Sequence, residues 1–253
     1  MSKYFEKFPT QYYRFGNNEQ AVLFPSINTF VEVLDLVKDN ISAYNKITVT
    51  DAERPDTLSN RLYGTPDHYW TFFLMNEALR EQGWPLTDKR IYDKSEELYP
   101  DWFLEIDGYS SSNVAAITAL SNYTTGEAIA VYNGSAWLAG TVKGKNIQNG
   151  ELYFSSTAVT TATNITQVAF ADESTNLLSV SSNSEEYNGT HHYERSDGTW
   201  YDLVDGEVGA PITFQENLVS VNEDLRTMRV IKPEKIEEIV FEYKRSLKRA
   251  NRT

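Results

Sequence analysis

Apolar residues recur four positions apart in the segment 54–76, which is the spacing of one face of an α-helix. The pairs are Leu58 with Leu62, Tyr69 with Phe73, and Trp70 with Leu74. A Gly-Thr-Pro turn at 64–66 interrupts the pattern. The segment therefore predicts two short helices, and the second of them is strongly apolar.

The residues around these pairs predict where each helix begins and ends. Gly64 is expected to end the first helix in the left-handed conformation, and Asp56 or Thr57 is expected to cap its start. Thr65 is expected to cap the second helix, and Asn76 is expected to end it.

Short apolar segments on either side of the helices predict strands. The β-branched run 47–50 predicts a strand that leads into the first helix. The segment 84–92, which contains Trp84, Ile91 and Tyr92, is expected to supply the returning strand. Residues 41–103 are thus predicted to form a βααβ unit.

Residues 104–215 have a different composition, rich in Ser, Thr, Asn and Gly. Apolar residues alternate at Ile129 and Val131, and again at Leu152 and Phe154, which is the period of a strand. Dipeptides typical of tight hairpin turns occur at Asn133-Gly134, Asn149-Gly150, Asn188-Gly189, Asp197-Gly198 and Asp205-Gly206. The segment is therefore predicted to be an inserted, small all-β domain, a barrel or twisted sheet of about five to seven strands.

The two ends of the chain complete an α+β fold class. Residues 1–40 contain many aromatic residues and a strand-like stretch at 21–24, and they are expected to form an arm that needs a partner surface. Residues 216–253 predict a strand at 228–231 and then an amphipathic helix that opens at Pro233. The apolar face of that helix consists of Ile236, Ile239, Val240, Tyr243 and Leu247.

Composition narrows the class of protein. The chain has 253 residues, a net charge of −13 and no cysteine. The negative charge argues against nucleic acid or an anionic membrane as the main partner, and no apolar run approaches the about 18 residues of a membrane span. The chain starts without a leader-like apolar stretch and has no disulfide framework, so it is expected to be made in a reducing cytoplasm.

No arrangement of residues predicts catalysis, a metal site or a cofactor. His68 is expected at the surface, in the first turn of a helix. His191 and His192 are neighbours on a predicted strand, so their side chains are expected on opposite faces, where they cannot chelate one metal ion. The sequence contains no Gly-x-Ser-x-Gly elbow, and a glycoside hydrolase would rest only on the abundance of carboxylates. The chain is therefore predicted not to be an enzyme.

The helix pair resembles the LysM module, in which two helices pack on a two-stranded sheet. The resemblance rests on Asp56-Thr57-Leu58, Tyr63-Gly64 and Asn76, and the Gly-x-Pro at 64–66 resembles the variant found in phage tail proteins. Pro55 stands where glycan-binding modules usually have glycine, and the first helix is shorter than theirs. Sugar binding is therefore not expected.

The order of segments along the whole chain resembles the LysM-containing baseplate wedge proteins of T4-like, contractile-tailed bacteriophages. The segments that carry the resemblance are 54–56, 62–66, 69–76, 84–86, 222–226 and 229–232. The resemblance implies a structural subunit of the virion tail baseplate, which is assembled in the host cytoplasm and clamps neighbouring wedge subunits. It also implies multiple copies in a six-fold assembly, with the helical core bundle and the sheath-like inner baseplate protein as partners. A LysM protein that binds peptidoglycan glycans is the alternative.

Six residues are predicted to lie at the partner interface, namely Arg54, Asp56, His68, Tyr69, Trp84 and Tyr243. Trp70 is predicted to lie in the core of the helix pair. Trp84, Trp137 and Trp200 have the alternative of stacking on sugars, although such residues more often anchor cores or protein interfaces.

Overall fold

The structure is a computed structural model that describes residues 10–14, 20–25, 42–110, 112–201 and 209–250, without the side chains of 10, 11, 13, 24, 25 and 246–250. The chain divides into two compact units. Unit 1 comprises residues 1–87 and 222–253, and unit 2 comprises residues 88–221. The sequence places the corresponding boundaries at 103/104 and 215/216, so the segment 88–103 is part of unit 2 and not of the predicted βααβ unit.

Helices and strands are numbered here in chain order. The helices are α1 Pro55–Tyr63, α2 Trp70–Met75, α3 Glu77–Gln82, α4 Asp88–Leu98, α5 Val114–Ser121, α6 Phe214–Arg226 and α7 Ile236–Ala250. The strands are β1 Thr10–Tyr13, β2 Val22–Pro25, β3 Tyr44–Thr48, β4 Trp102–Ile106, β5 Ala128–Tyr132, β6 Trp137–Asn146, β7 Glu151–Ser155, β8 Gln167–Phe170, β9 Leu178–Glu185, β10 Thr190–Glu194, β11 Trp200–Tyr201, β12 Ala210–Thr213 and β13 Thr227–Ile231. No helix within the described residues is both long and apolar enough to cross a membrane.

Unit 1 is built on an antiparallel pair of strands from distant parts of the chain, β3 and β13. The prediction that 84–92 supplies the returning strand is wrong. Ile91 and Tyr92 lie in α4, where Ile91 and Ser95 form a buried row one helical turn apart. The strand predicted at 228–231 is confirmed, and it is this strand that completes the sheet.

The predicted helix pair is confirmed, with one correction at its start. Gly64 ends α1 with a φ of 72°, and the Thr65 side chain accepts a hydrogen bond from the amide of Asp67. The second helix begins as a 3₁₀ turn at Pro66–His68, continues as α2 and ends at Asn76. Neither Asp56 nor Thr57 caps α1, because Pro55 is the first residue of the helix and the N-cap position is therefore Arg54.

Two clusters of apolar side chains form the core of unit 1. One cluster lies between the helix pair and α6, and its buried members are Val49, Leu58, Phe72, Leu79, Leu225, Met228 and Val230. The other lies under α7, and its buried members are Trp70, Leu74, Met75, Ile231, Ile236, Ile239, Val240 and Tyr243. The predicted apolar face of the C-terminal helix is thus confirmed up to Tyr243, while the side chain of Leu247 lies outside the described residues.

Unit 2 contains the predicted barrel. Six antiparallel strands close on themselves in the order β4-β7-β6-β5-β8-β9. The alternating residues Ile129, Val131, Leu152 and Phe154 are all buried inside it, as their period predicts. Closure leaves these six strands without a free edge.

Unit 2 also contains helices and a second sheet that the all-β prediction missed. Helix α5 begins at Asn113, whose side chain accepts a hydrogen bond from the amide of Ala116, and it buries Leu120 in the barrel core. A three-stranded sheet in the order β11-β10-β12 lies outside the barrel.

Three of the five predicted hairpin turns are confirmed. Asn133-Gly134, Asn149-Gly150 and Asp197-Gly198 each join two paired strands. Asn188-Gly189 instead follows a 3₁₀ turn between β9 and β10, which belong to different sheets, so the prediction of a hairpin there is wrong. Asp205-Gly206 lies outside the described residues.

Of the predicted arm at 1–40, the structure describes only an antiparallel hairpin of β1 and β2. Tyr12 pairs with Leu23 across this hairpin, and both side chains are exposed to solvent. The strand predicted at 21–24 is thus confirmed as β2, and the rest of the arm lies outside the described residues.

Candidate functional site

Two of the six predicted interface residues lie on the surface of unit 1, at the start of α1. Arg54 and Asp56 form an ion pair with a distance of 3.2 Å between Nε and Oδ1. Both side chains are largely exposed, so the pair contributes no more than about 1 kcal/mol to stability. Arg54 and Asp56 are therefore accessible to a partner.

His68 is buried, and the prediction that it lies at the surface is wrong. Its Nε2 atom lies 3.2 Å from Oε1 of Glu237 on α7, and its ring meets the ring of Tyr63 edge-on. The 3₁₀ turn at the start of the second helix directs the ring inward toward α7. The side chain thus joins the helix pair to the C-terminal helix.

The three aromatic residues among the six pack within unit 1. Tyr243 is 1% exposed, and its ring centroid lies 5.1 Å from that of the buried Trp70. Trp84 is half-buried, and its indole N–H donates a hydrogen bond to the carbonyl of Glu53 at 2.7 Å. Tyr69 is half-buried and contacts both apolar clusters. Of these aromatic side chains, Trp84 reaches the turn before α1 through its bond to Glu53.

An ion pair between Arg61 and Glu53 fixes the turn before α1. The guanidinium of Arg61 donates hydrogen bonds to both carboxylate oxygens of Glu53, at 2.8 and 2.9 Å. These bonds hold the pKa of Glu53 below its ordinary value. The turn before α1 is therefore tied to the helix by Arg61 and to Trp84 through the indole bond.

The register of β3 and β13 determines which backbone groups face outward from this sheet. The amide of Lys232 bonds to the carbonyl of Ala43, and the amide of Val49 bonds to the carbonyl of Arg226. In an antiparallel pair these bonded positions alternate with non-bonded ones. The backbone groups of Tyr44, Lys46 and Thr48, and those of their partners on β13, therefore point away from the sheet.

Side chains close the outer edge of β13. The amide group of Asn76 donates to the carbonyl of Arg229 and accepts from its N–H, with both distances 2.8 Å. The hydroxyl of Tyr63 donates to the carbonyl of Ile231 at 2.9 Å. Burial raises the pKa of Tyr63, so this hydroxyl remains a donor throughout the ordinary pH range.

The outer edge of β3 is different. Among the described residues, the backbone groups of Tyr44, Lys46 and Thr48 on this edge have no hydrogen-bond partner. Lys46 lies directly opposite Arg229, and both side chains are exposed. Sequence reasoning missed this basic pair because its two members are far apart along the chain.

A groove of about 290 Å³ lies between the start of α3 and β13. Its charged and polar lining includes Asn76, Glu77, Asp224 and Arg229. These residues offer charges of both signs but no nucleophile with an adjacent base, so the groove has no evident catalytic chemistry.

In unit 2, the two adjacent histidines are in contact with each other. A bulge in β10 between Thr190 and His192 shifts the register, and the Nδ1 atoms of His191 and His192 lie 2.8 Å apart. The prediction that they point to opposite faces is therefore wrong, because a bulge breaks the alternation of a strand. Burial, together with the neighbouring His192, lowers the pKa of His191. Within the described residues, no three His, Asp or Glu side chains are grouped to hold a metal ion.

One comparison with known proteins gives a match. Residues 3–101 match the family model described as base plate wedge protein 53. This segment is less than half of the chain, and it contains β3, the helix pair and α4. No curated protein matches the chain. The match supports a structural role in a phage baseplate wedge.

Proposed function

We propose that this protein is a structural subunit of a phage tail baseplate wedge and clamps neighbouring wedge subunits during baseplate assembly. The observation that carries the proposal is the similarity of residues 3–101 to base plate wedge protein 53. In this role the protein has no enzymatic activity and needs no cofactor.

The clamp is a LysM-like unit formed by β3, α1, α2 and β13. The order β3, α1, α2 and finally β13, with α3 and unit 2 between α2 and β13, supports a likeness to the βααβ order of the LysM module. Gly64 and Asn76 end the two helices at the positions that the resemblance assigns to them. These features support a LysM-like fold that serves protein–protein contact.

The proposed contact surface includes Arg54 and Asp56, because they are the exposed members of the predicted set. His68, Tyr69, Trp84 and Tyr243 act as positioning residues that hold this surface in place from within unit 1. The proposed partners are other wedge proteins, including the helical core bundle and the sheath-like inner protein of a contractile tail. The protein would be present in multiple copies in a six-fold assembly in the virion, assembled in the host cytoplasm.

Co-assembly with the other wedge proteins of its phage, expressed together, tests the proposal. We expect the native chain to enter the wedge complex on size-exclusion chromatography. The double variant Arg54→Ala/Asp56→Ala should enter at a reduced yield, because large parts of both removed side chains are exposed to the partner.

The matched control is Lys89→Ala/Asp93→Ala, which removes an exposed pair of opposite charges from α4 of unit 2. This variant should enter the wedge like the native chain. A native chain that stays outside the complex would contradict the proposal. Saturable binding to purified peptidoglycan would favour the glycan-binding alternative instead.

A further inference from the structure

Within the described parts of unit 1, the small sheet has one closed edge and one open edge. The side chains of Asn76 and Tyr63 form hydrogen bonds with the outward backbone groups of Arg229 and Ile231 on β13. On β3, the outward groups of residues 44, 46 and 48 have no such partner among the described residues. Unpaired strand edges are templates for another strand, and proteins usually cover or disrupt them.

The open edge is next to an unusual pair of charges. Lys46 and Arg229 occupy a non-hydrogen-bonded position of the antiparallel pair, where opposite side chains approach most closely. The guanidinium of Arg229 lies 5.2 Å from the centre of the Tyr44 ring on the same face. Neither cation makes an ion pair with another described residue.

Like charges directly opposite each other in a sheet destabilise it. A chain with a net charge of −13 has many carboxylates, and yet none lies within ion-pair distance of these two cations in the described parts of the structure. The basic pair therefore costs the isolated protein stability, and an acidic partner would reverse this cost.

We infer that the open edge of β3 receives an extended segment of a neighbouring baseplate subunit, with acidic side chains facing Lys46 and Arg229. The added strand pairs with the outward backbone groups of Tyr44, Lys46 and Thr48, which is recognition by β-strand addition. This inference rests on the proposed function for the source of the segment. It adds a second surface to the one at Arg54 and Asp56.

A second copy of this chain fits the edge less well. If two copies of β3 paired about a two-fold axis at their centre, Lys46 would lie next to Lys46 of the second copy. Edge lysines disfavour self-pairing for this reason. An acidic segment of a different subunit fits both the hydrogen-bonding groups and the charge.

Amide hydrogen exchange tests the backbone part of the inference. In the isolated full-length protein, the amides of Tyr44, Lys46 and Thr48 should exchange within about tenfold of the unfolded-chain rate. In the assembled wedge they should exchange at least about a hundredfold more slowly. The amides of Asn45 and Ile47, which face β13, should be protected in both states and serve as internal controls.

Two variants distinguish the contribution of the side-chain charge from that of the backbone hydrogen bonds. Lys46→Glu places an acidic side chain opposite Arg229 and should weaken entry into the wedge at least about tenfold by repelling an acidic segment. Thr48→Pro removes an outward N–H without breaking a bond to β13, and it should weaken entry to a similar extent. Lys89→Glu, an exposed charge reversal on α4, should leave entry unchanged.

Each outcome has a distinct meaning. If the native protein enters the wedge but residues 44, 46 and 48 exchange equally fast in both states, the inference is overturned and the proposed function stands. Entry of both variants at the native level overturns it in the same way. If the native protein does not enter the wedge, the proposed function fails and the inference fails with it. Dimerisation of the isolated protein that Thr48→Pro abolishes would assign the edge to a second copy.

Discussion

The side chain of Asn222 accepts a hydrogen bond from the amide of Leu86 at 2.7 Å and donates one to the carbonyl of Leu86 at 3.1 Å. Leu86 is next to the point where the chain leaves unit 1, and Asn222 is the residue at which it returns. The place where the chain leaves unit 1 and the place where it returns are therefore joined directly by hydrogen bonds.

The first prediction concerns the independence of unit 1. A chain that joins residues 42–87 to 222–250 through a short Gly-Ser linker should fold, because the linker spans the distance that Asn222 and Leu86 already bridge. The fragment 41–103 should not fold, because it lacks β13 and α7 and leaves both apolar clusters open. Far-UV circular dichroism and a cooperative thermal melt will distinguish them, and a folded 41–103 fragment would contradict the assignment of β13.

The second prediction concerns Asn76. Replacing it by alanine removes its bonds to Arg229 and to the carbonyl of Phe72, and should lower the free energy of unfolding by about 1–3 kcal/mol. The control is Asn60→Ala, at an exposed position inside α1. The backbone carbonyl of Asn60 accepts the bond from Gly64, but its side chain has no hydrogen bond to a described residue. Urea denaturation should show a clear loss for the first variant and little change for the second. Equal stabilities would mean that water replaces the amide without cost.

The third prediction concerns Trp70. This side chain is 6% exposed and packs on Tyr243, so Trp70→Ala should cost about 3–5 kcal/mol. Phe241→Ala provides the comparison, because Phe241 is an exposed aromatic on the outer side of α7. Its removal should change the free energy of unfolding by less than about 0.5 kcal/mol. A small effect at Trp70 would indicate that α7 does not dock on the helix pair in solution.

The fourth prediction concerns acid stability. The pKa of Glu53 is lowered in the folded state, chiefly by its hydrogen bond from Arg61. Its contribution is therefore fully present above the unfolded-state pKa of about 4.3, and it is lost as the pH falls through the lower folded-state pKa. The difference in melting temperature between the native chain and Arg61→Gln should be largest near neutral pH and should shrink below about pH 4. Lys89→Gln should show no such pH-dependent difference, and a difference that is constant with pH for Arg61→Gln would argue against the ion pair.

The fifth prediction concerns the basic pair in the isolated protein. Lys46→Glu converts a like-charge pair with Arg229 into an opposite-charge pair and should raise the free energy of unfolding by about 0.2–1 kcal/mol at low salt. The gain should diminish at high salt, because both side chains are exposed. A variant that is more stable but enters the wedge poorly would show that the native lysine serves binding at the expense of the fold. Loss of stability in Lys46→Glu would instead show that the two cations do not repel in the native sheet.

Local signals in the sequence were sufficient for the helix ends and for the hairpins between neighbouring barrel strands. Gly64, Thr65 and Asn76 act through their own backbone conformation or on residues close by, so their roles can be read from a few neighbouring positions. The Asn-Gly turns at 133–134 and 149–150 and the period-two runs likewise specify strand pairs that are adjacent in the sequence. These features depend on nothing distant in the chain.

Several of the missed features depend on distant or exceptional contacts. Both 84–92 and 227–231 contain apolar residues that can form a short strand, and the packing of Ile91 in α4 and the pairing of β13 with β3 distinguish the two. His68 contacts Tyr63 and Glu237 in the folded chain, and Glu237 is far away in the sequence. The contact between His191 and His192 depends on a bulge that no residue type in β10 announces.

The residues predicted for the partner interface differ in exposure for the same reason. Arg54 and Asp56 are accessible, as expected of residues at an interface, because the start of a helix projects into solvent. The aromatic members of the predicted set have large apolar side chains, and the small unit uses them to fill its own core. No pattern in the sequence predicts the open edge of β3. The edge is open because, among the described residues, only β13 pairs with β3.

The pairing of β3 with β13 also sets the order of events during synthesis. The barrel is continuous in sequence, and all of its strands have left the ribosome before β13 is made. Domains generally fold as units while the chain emerges, so the barrel can form first, while β3 and the helix pair wait for their last strand. The contact surface proposed for the wedge is thus complete only after β13 has been made. In the proposed role, chains that terminate before β13 would carry a folded barrel but would lack the surface needed to occupy, and so to block, a place in the growing baseplate.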